Sequence, residues 1–95
     1  MVYCLRGIPS HKVKAIQWKE VNVPQTLKFL SSMGDYIYLE FDPEGKPTLS
    51  LGVPCGIGVC RINKGDYLVK GIRPSFPQQI DIYAEDDFNA LFKKL

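Results

Sequence analysis

The chain holds little that can do chemistry. Its 95 residues include one histidine, one tryptophan and three cysteines. Acid–base or nucleophilic catalysis needs a second group to activate or orient the first. Ser10 and Cys4 lie near His11 in sequence, but no triad pattern links them. Beside Pro9, His11 reads as an exposed loop residue. Cys4, Cys55 and Cys60 are odd in number, which fits reduced thiols better than a disulfide framework. Gly56-Ile57-Gly58-Val59 separates Cys55 from Cys60, but a zinc site needs a second ligand pair, and only Cys4 and His11 remain. Glu85, Asp86 and Asp87 suit the positive end of a helix better than a metal. No metal, cofactor or catalytic residue is expected, and the chain reads as a non-enzyme.

Other absences narrow the class. No stretch approaches the roughly 18 apolar residues of a membrane span. The opening residues Met1 to Gly7 lack the apolar run of a secretory signal. The expectation is a cytoplasmic protein with no membrane partner. The net charge is +2 and the pI about 8.4, short of the basic excess of a nucleic-acid protein. DNA and RNA are therefore not expected as partners.

What is present describes a globular chain. Hydrophobic residues are 45% and charged residues 23%, which excludes disorder. The length suits one domain over residues 1–95. A core of that size is modest, which favours a homo-oligomer.

The patterning predicts the elements. Val2 to Leu5 suits a short strand, and Pro9-Ser10 a turn. Lys12 to Trp18 alternates as a strand does. Asn22 to Met33 changes period: Asn22 suits a helix cap, Pro24 the first turn, and Gly34 the stop. Val23, Leu27, Leu30 and Met33 form its apolar stripe. Tyr36 to Phe41 returns to period two, with Ile37, Leu39 and Phe41 inward and Tyr36, Tyr38 and Glu40 outward. Asp42-Pro43-Glu44-Gly45 is a turn, and Thr48 to Val53 the return strand. Gly52 to Gly58 is a bend or loop. Val59 to Ile62 and Tyr67 to Ile72 read as a second hairpin around Asn63-Lys64-Gly65-Asp66. An extended loop from Arg73 to Gln79 precedes a strand from Ile80 to Tyr83. Glu85 to Leu95 reads as a helix, with Phe88, Leu91, Phe92 and Leu95 as its stripe and Lys93 and Lys94 at its negative end. The fold class is α+β: a mostly antiparallel meander with one helix after the first strands and an amphipathic C-terminal helix.

Four stretches carry a family likeness: Lys14-Ala15-Ile16-Gln17-Trp18, Leu27-Lys28-Phe29-Leu30, Gly65-Asp66-Tyr67-Leu68-Val69-Lys70-Gly71 and Asp81-Ile82-Tyr83. In their order and spacing the chain resembles a family of small bacteriophage and prophage proteins with "EAIQW … GDWIVKG … PDIFE" motifs and no securely assigned activity. The resemblance spans about residues 12 to 88 and implies a small accessory phage protein made in a bacterial cytoplasm. Family members usually follow the second glycine motif with Gly-Glu and Tyr-Pro-Cys. Here that loop is Arg73-Pro74-Ser75-Phe76-Pro77-Gln78-Gln79, which puts any shared specificity of the loop in doubt.

Aromatic and basic residues on or near strands are the better functional clue. Trp18, Tyr36, Tyr38 and Tyr67 can stack on a base; Arg61, Lys70 and Arg73 can meet phosphate. Gly56-Ile57-Gly58 lacks the lysine and hydroxyl residue of a phosphate-binding loop. The expected ligand-binding set is Trp18, Tyr36, Arg61, Tyr67, Lys70 and Arg73, with core or rim packing as the competing account of Trp18 and Tyr67. Either the Gly52 to Gly58 loop or the Arg73 to Gln79 loop is the candidate rim. The functional expectation is a counter-defence protein that sequesters a nucleotide-type immune signal without catalysis. The alternatives are an inhibitor that binds a host protein directly, a small nucleotide hydrolase and a virion accessory protein.

Overall fold

A computed structural model describes residues 2–31, 36–52, 58–77 and 79–95. Expectations that fall on Met33, Gly34, Val53 to Ile57 and Gln78 lie outside the described residues. The element order is β1 (Val2–Leu5), β2 (Ile8–Gln17), α1 (Val23–Phe29), β3 (Ile37–Phe41), β4 (Pro47–Gly52), β5 (Val59–Ile62), β6 (Tyr67–Lys70), β7 (Ile80–Tyr83), α2 (Glu85–Leu91) and β8 (Phe92–Lys94). The fold is α+β with antiparallel sheets. The chain reads as one domain in sequence, yet it divides into two compact units: residues 1–17 with 65–95, and residues 18–64.

The first unit is a five-stranded sheet in the order β7-β6-β2-β1-β8. Gly7, at φ 83°, allows the tight turn between β1 and β2. Pro9 and Ser10 are not a turn; both are exposed within β2, which begins at Ile8. The pairing shifts register between Cys4 and Leu5, and such an irregularity leaves room for residues outside the regular ladder. Tyr3, Val13, Ala15, Val69, Phe88 and Phe92 make the buried core. Phe88 is its hub. It stacks on Tyr67 with centroids 3.8 Å apart and meets Tyr3 edge-on at 4.9 Å. Phe92 lies 4.9 Å from Phe88, and Tyr83 packs edge-on against Phe92.

The C-terminal helix is shorter than its stripe suggests. It ends at Leu91, and Phe92 turns extended at φ −123°, ψ 151°. Residues Phe92 to Lys94 pair with β1 as an edge strand. The edge of β1 offers N–H and C=O groups that a continuing helix would leave unmet. Phe88 and Phe92 are buried as the stripe predicts, but Leu91 and Leu95 are 43% and 59% exposed. Lys93 and Lys94 therefore belong to a strand, and helix-dipole compensation does not account for them.

The second unit carries α1 and a three-stranded sheet in the order β3-β4-β5. Asn22 stands at the start of α1 but makes no side-chain cap. Its Oδ1 accepts from the Lys19 N–H at 3.0 Å, while its carbonyl accepts from the Thr26 hydroxyl at 2.9 Å. Thr26 and Leu30, one helical turn apart, are fully buried, and Val23, Leu27 and Phe29 are half-buried around them. The β3–β4 hairpin closes as its sequence predicts. Asp42 Oδ1 accepts from the Glu44 and Lys46 N–H groups at 3.0 and 2.8 Å, and Gly45 takes φ 84°. Leu49, Leu51 and Ile62 face inward; Phe41, expected inward, is 61% exposed beside the turn. No hairpin joins β5 to β6. β5 pairs with β4, and β6 pairs with β2 and β7.

Truncating the hub tests this core. Phe88→Ala is expected to cost about 3–5 kcal/mol, read as a large drop in melting temperature. A melting temperature within a degree or two of the parent would refute the hub.

Candidate functional site

The three-stranded sheet has one inward and one outward face. Register places Leu49 beside Leu39 and Ile62, and Leu51 beside Ile37 and Cys60, on the inward side. The outward side carries Tyr38, Ser50 and Arg61 in one row, with Gly52 and Val59 in the next. Tyr36 precedes β3 and joins that second row: its ring and that of Tyr38 stand over Gly52. A Cβ at Gly52 would sit 3.2 Å from Tyr36 Cδ1 and 3.3 Å from Tyr38 Cε2. A Cβ here would be crowded by both rings, since the missing side chain lets them settle onto the strand. Tyr36 and Tyr38 remain 41% and 47% exposed, and Val59 60%. Arg61 is exposed in the row of Tyr38. The result is a surface with two aromatic rings, a hydroxyl at Ser50 and a guanidinium, carried on adjacent strands.

The six expected ligand-binding residues differ in their local surroundings. Tyr36 and Arg61 share this outward face. Trp18 is 1% exposed, so it is a packing residue and offers no ring to a ligand. Tyr67 is half-buried and stacked on Phe88 within the core of the first unit. Lys70 lies on the opposite face of the five-stranded sheet, with Lys14 directly across from it. Arg73 pairs with Asp81 at 3.6 Å. Tyr38, Ser50 and Gly52 complete the outward face and lie outside the expected ligand-binding set. Their signal was the period-two pattern of β3 and β4, which puts Tyr38 and Ser50 on the side away from the leucines.

His11 is not a loop residue. It lies in β2, half-buried, and its Nε2 donates to the Gly71 carbonyl at 3.1 Å. Among the described residues no three His, Cys, Asp or Glu side chains gather as metal ligands, and no helix is long and apolar enough to cross a membrane. Cys4 is buried and Cys60 exposed, both as free thiols.

Among the described residues, three groups titrate away from their ordinary values. Burial first, then Tyr3 and Glu85, push the Tyr67 phenol up. Burial and Asp81 push Tyr83 up, partly offset by Arg73. Burial and then Lys14 push Lys70 down.

Comparison with protein-family models, curated proteins and solved structures returns no match for this chain.

Gly52→Ala is expected to change stability by no more than about 1 kcal/mol, because relief of glycine's chain entropy offsets the crowding. It should nonetheless move the NMR resonances of the Tyr36 and Tyr38 rings; unmoved resonances would contradict the close approach. Because Tyr67 and Tyr83 are raised on folding, the unfolded chain loses those protons first. The stability tied to the neutral phenols is full below about pH 10, the unfolded tyrosine value, and is lost as pH rises through the folded values. Thermal melts from neutral to alkaline pH should therefore fall less steeply for Tyr67→Phe than for the parent, and parallel curves would refute the assignment.

Proposed function

We propose that this chain is a non-enzymatic binding protein whose outward Tyr36–Tyr38–Arg61 face takes a nucleotide-type ligand. The observation that carries the reading is the seating of both tyrosine rings on Gly52, in register with Ser50 and Arg61. A base is flat and stacks on an aromatic face. A phosphate matches the planar fork of a guanidinium, which donates two parallel hydrogen bonds. Ser50 adds a hydroxyl between the two. Such a surface holds a ligand without activating it, and binding in stoichiometric amounts asks for no general base or nucleophile. The likeness to small phage proteins supports the biological use: sequestration of a nucleotide immune signal in an infected bacterial cell.

A second reading shares the same residues. Tyrosine and arginine are also the side chains that anchor protein interfaces, and the exposed Val59 at 60% extends the apolar part of this face. On that reading the face covers a host defence protein.

A thermal-shift screen against cyclic di- and trinucleotides and cyclic ADP-ribose isomers separates them. A ligand at one hundred times its Kd stabilises by about 2.7 kcal/mol, which for a domain of this size is on the order of 10 °C. One hit of that size is expected, with the ligand recovered chemically intact. Arg61→Ala and Tyr38→Ala should each abolish the shift while keeping the parent's own melting temperature nearly unchanged, since exposed substitutions cost little. A cleaved ligand would mean an enzyme, and no shift across the panel would favour the protein target.

A further inference from the structure

The middle strand of the three-stranded sheet carries small side chains on its outward face. Thr48, Ser50 and Gly52 alternate along β4, and each has a larger neighbour in register. Glu40 stands beside Thr48, Tyr38 and Arg61 flank Ser50, and Val59 stands beside Gly52. Thr48 and Ser50 are half-buried and Gly52 is buried, while Tyr36, Tyr38, Glu40, Val59 and Arg61 are exposed. Small residues between large ones make a shallow trough along β4. The Tyr38 ring reaches over Gly52, which lies on the side of Ser50 away from Thr48. The ring thus leans away from Glu40, and the stretch of trough above Thr48 and Ser50 holds no large side chain of β4.

Glu40 is the feature of this face that a phosphate contact does not explain. Among the described paired positions of the face it is the one carboxylate, and Arg61 is the one cation. A carboxylate repels phosphate and a guanidinium attracts it. The two charges therefore fix which way a nucleotide lies, with its phosphate toward Arg61 and its base toward Glu40. Glu40 stands two strand residues from Tyr38, about 6.8 Å, and Arg61 two strand spacings from Tyr38, about 9.6 Å. The diagonal between the two charged positions is about 12 Å, which leaves room for a sugar between base and phosphate.

The carboxylate also chooses among bases. Once ionised it only accepts hydrogen bonds, through two oxygens side by side. Of the four common bases, guanine alone offers two donors side by side, its N1–H and its N2 amino group. Adenine and cytosine set a ring-nitrogen acceptor beside one amino donor, and uracil sets a carbonyl on each side of its single N–H. Opposite Glu40, each of these three turns an acceptor toward an acceptor. A polar group left without its partner is what makes a hydrogen-bonding site reject an analogue.

We propose that Glu40 makes this face selective for a guanine nucleotide. The base stacks on Tyr38, its N1–H and N2 amino group donate to the Glu40 carboxylate, and its phosphate meets Arg61. The assignment rests on the nucleotide reading of the Tyr36–Tyr38–Arg61 face and adds the identity of the base to it.

NMR titrations of the full chain with GMP, IMP and AMP test it, since each carries one base and one phosphate and weak binding is measurable. GMP should bind about tenfold more tightly than AMP. IMP keeps the N1–H and lacks the N2 amine, so it should fall between them. Glu40→Gln turns one of the two acceptors into a donor, which suits the N1 and N6 amino group of adenine better than guanine. The preference for GMP over AMP should therefore drop to parity or below. Glu40 is exposed, so the variant should melt close to the parent, and lost selectivity is then not lost fold. If GMP binds no better than AMP or IMP, or if Glu40→Gln keeps the parent's preference, the guanine assignment falls and the nucleotide reading stands. If none of the three nucleotides moves the resonances of Tyr38 or Arg61, both fall together.

Discussion

The stacking of Phe88 on Tyr67 is the contact on which the first unit depends. Phe88 comes from α2, Tyr67 from β6, and Tyr3 from β1, so one ring joins segments from both ends of the sequence. The helix that supplies Phe88 has only seven residues and no side-chain cap at its start. A helix that short is not stable by propensity alone. Its position comes from tertiary contacts: the ring stack, and Gln17, whose amide donates to Glu85 and, at 3.0 Å, to the Gly65 carbonyl. That amide thus ties the end of β2 to the start of α2 and to the turn before β6. Gly65 in the turn and the closing Gly71 take φ 98° and 93°. Both frame the strand that presents Tyr67.

Local rules were legible in the sequence wherever one segment decided its own geometry. The Asp42 turn is satisfied by its own side chain, and β3 and β4 alternate as their residues demand. The failures share a cause, which is competition from distant strands. Phe92 to Lys94 has a helical stripe, but the open edge of β1 captures it as a strand. Val59 to Ile62 and Tyr67 to Lys70 look like a hairpin because a turn joins them. Each finds a better partner elsewhere, and the chain changes sheets at that turn. Pro9 has the look of punctuation, although a proline is compatible with the end of a strand.

The candidate site was half legible for the same reason. Tyr36 and Arg61 could be picked by residue type, but their sharing of one face depends on β4 standing between them in register. Trp18 has the chemistry of a ligand-stacking residue and the burial of a core residue, and only packing decides between them. By residue type Lys70 suits a phosphate contact. Its neighbour Lys14, fifty-odd positions earlier in the chain, becomes visible only once β2 and β6 are paired.

Trp18 carries a practical consequence. It is the one tryptophan of the chain, it is buried, and it begins the unit of residues 18–64. The other unit has no indole and instead concentrates stacked and edge-on tyrosine and phenylalanine rings. Only the unit of residues 18–64 thus carries an indole, although it also holds Tyr36 and Tyr38. Indole emission follows the environment of one, and the near-ultraviolet ellipticity of packed phenol rings weights the other. Whether the chain unfolds in one cooperative step or two is therefore open to direct optical observation without any label, by comparing the midpoints that the two signals report.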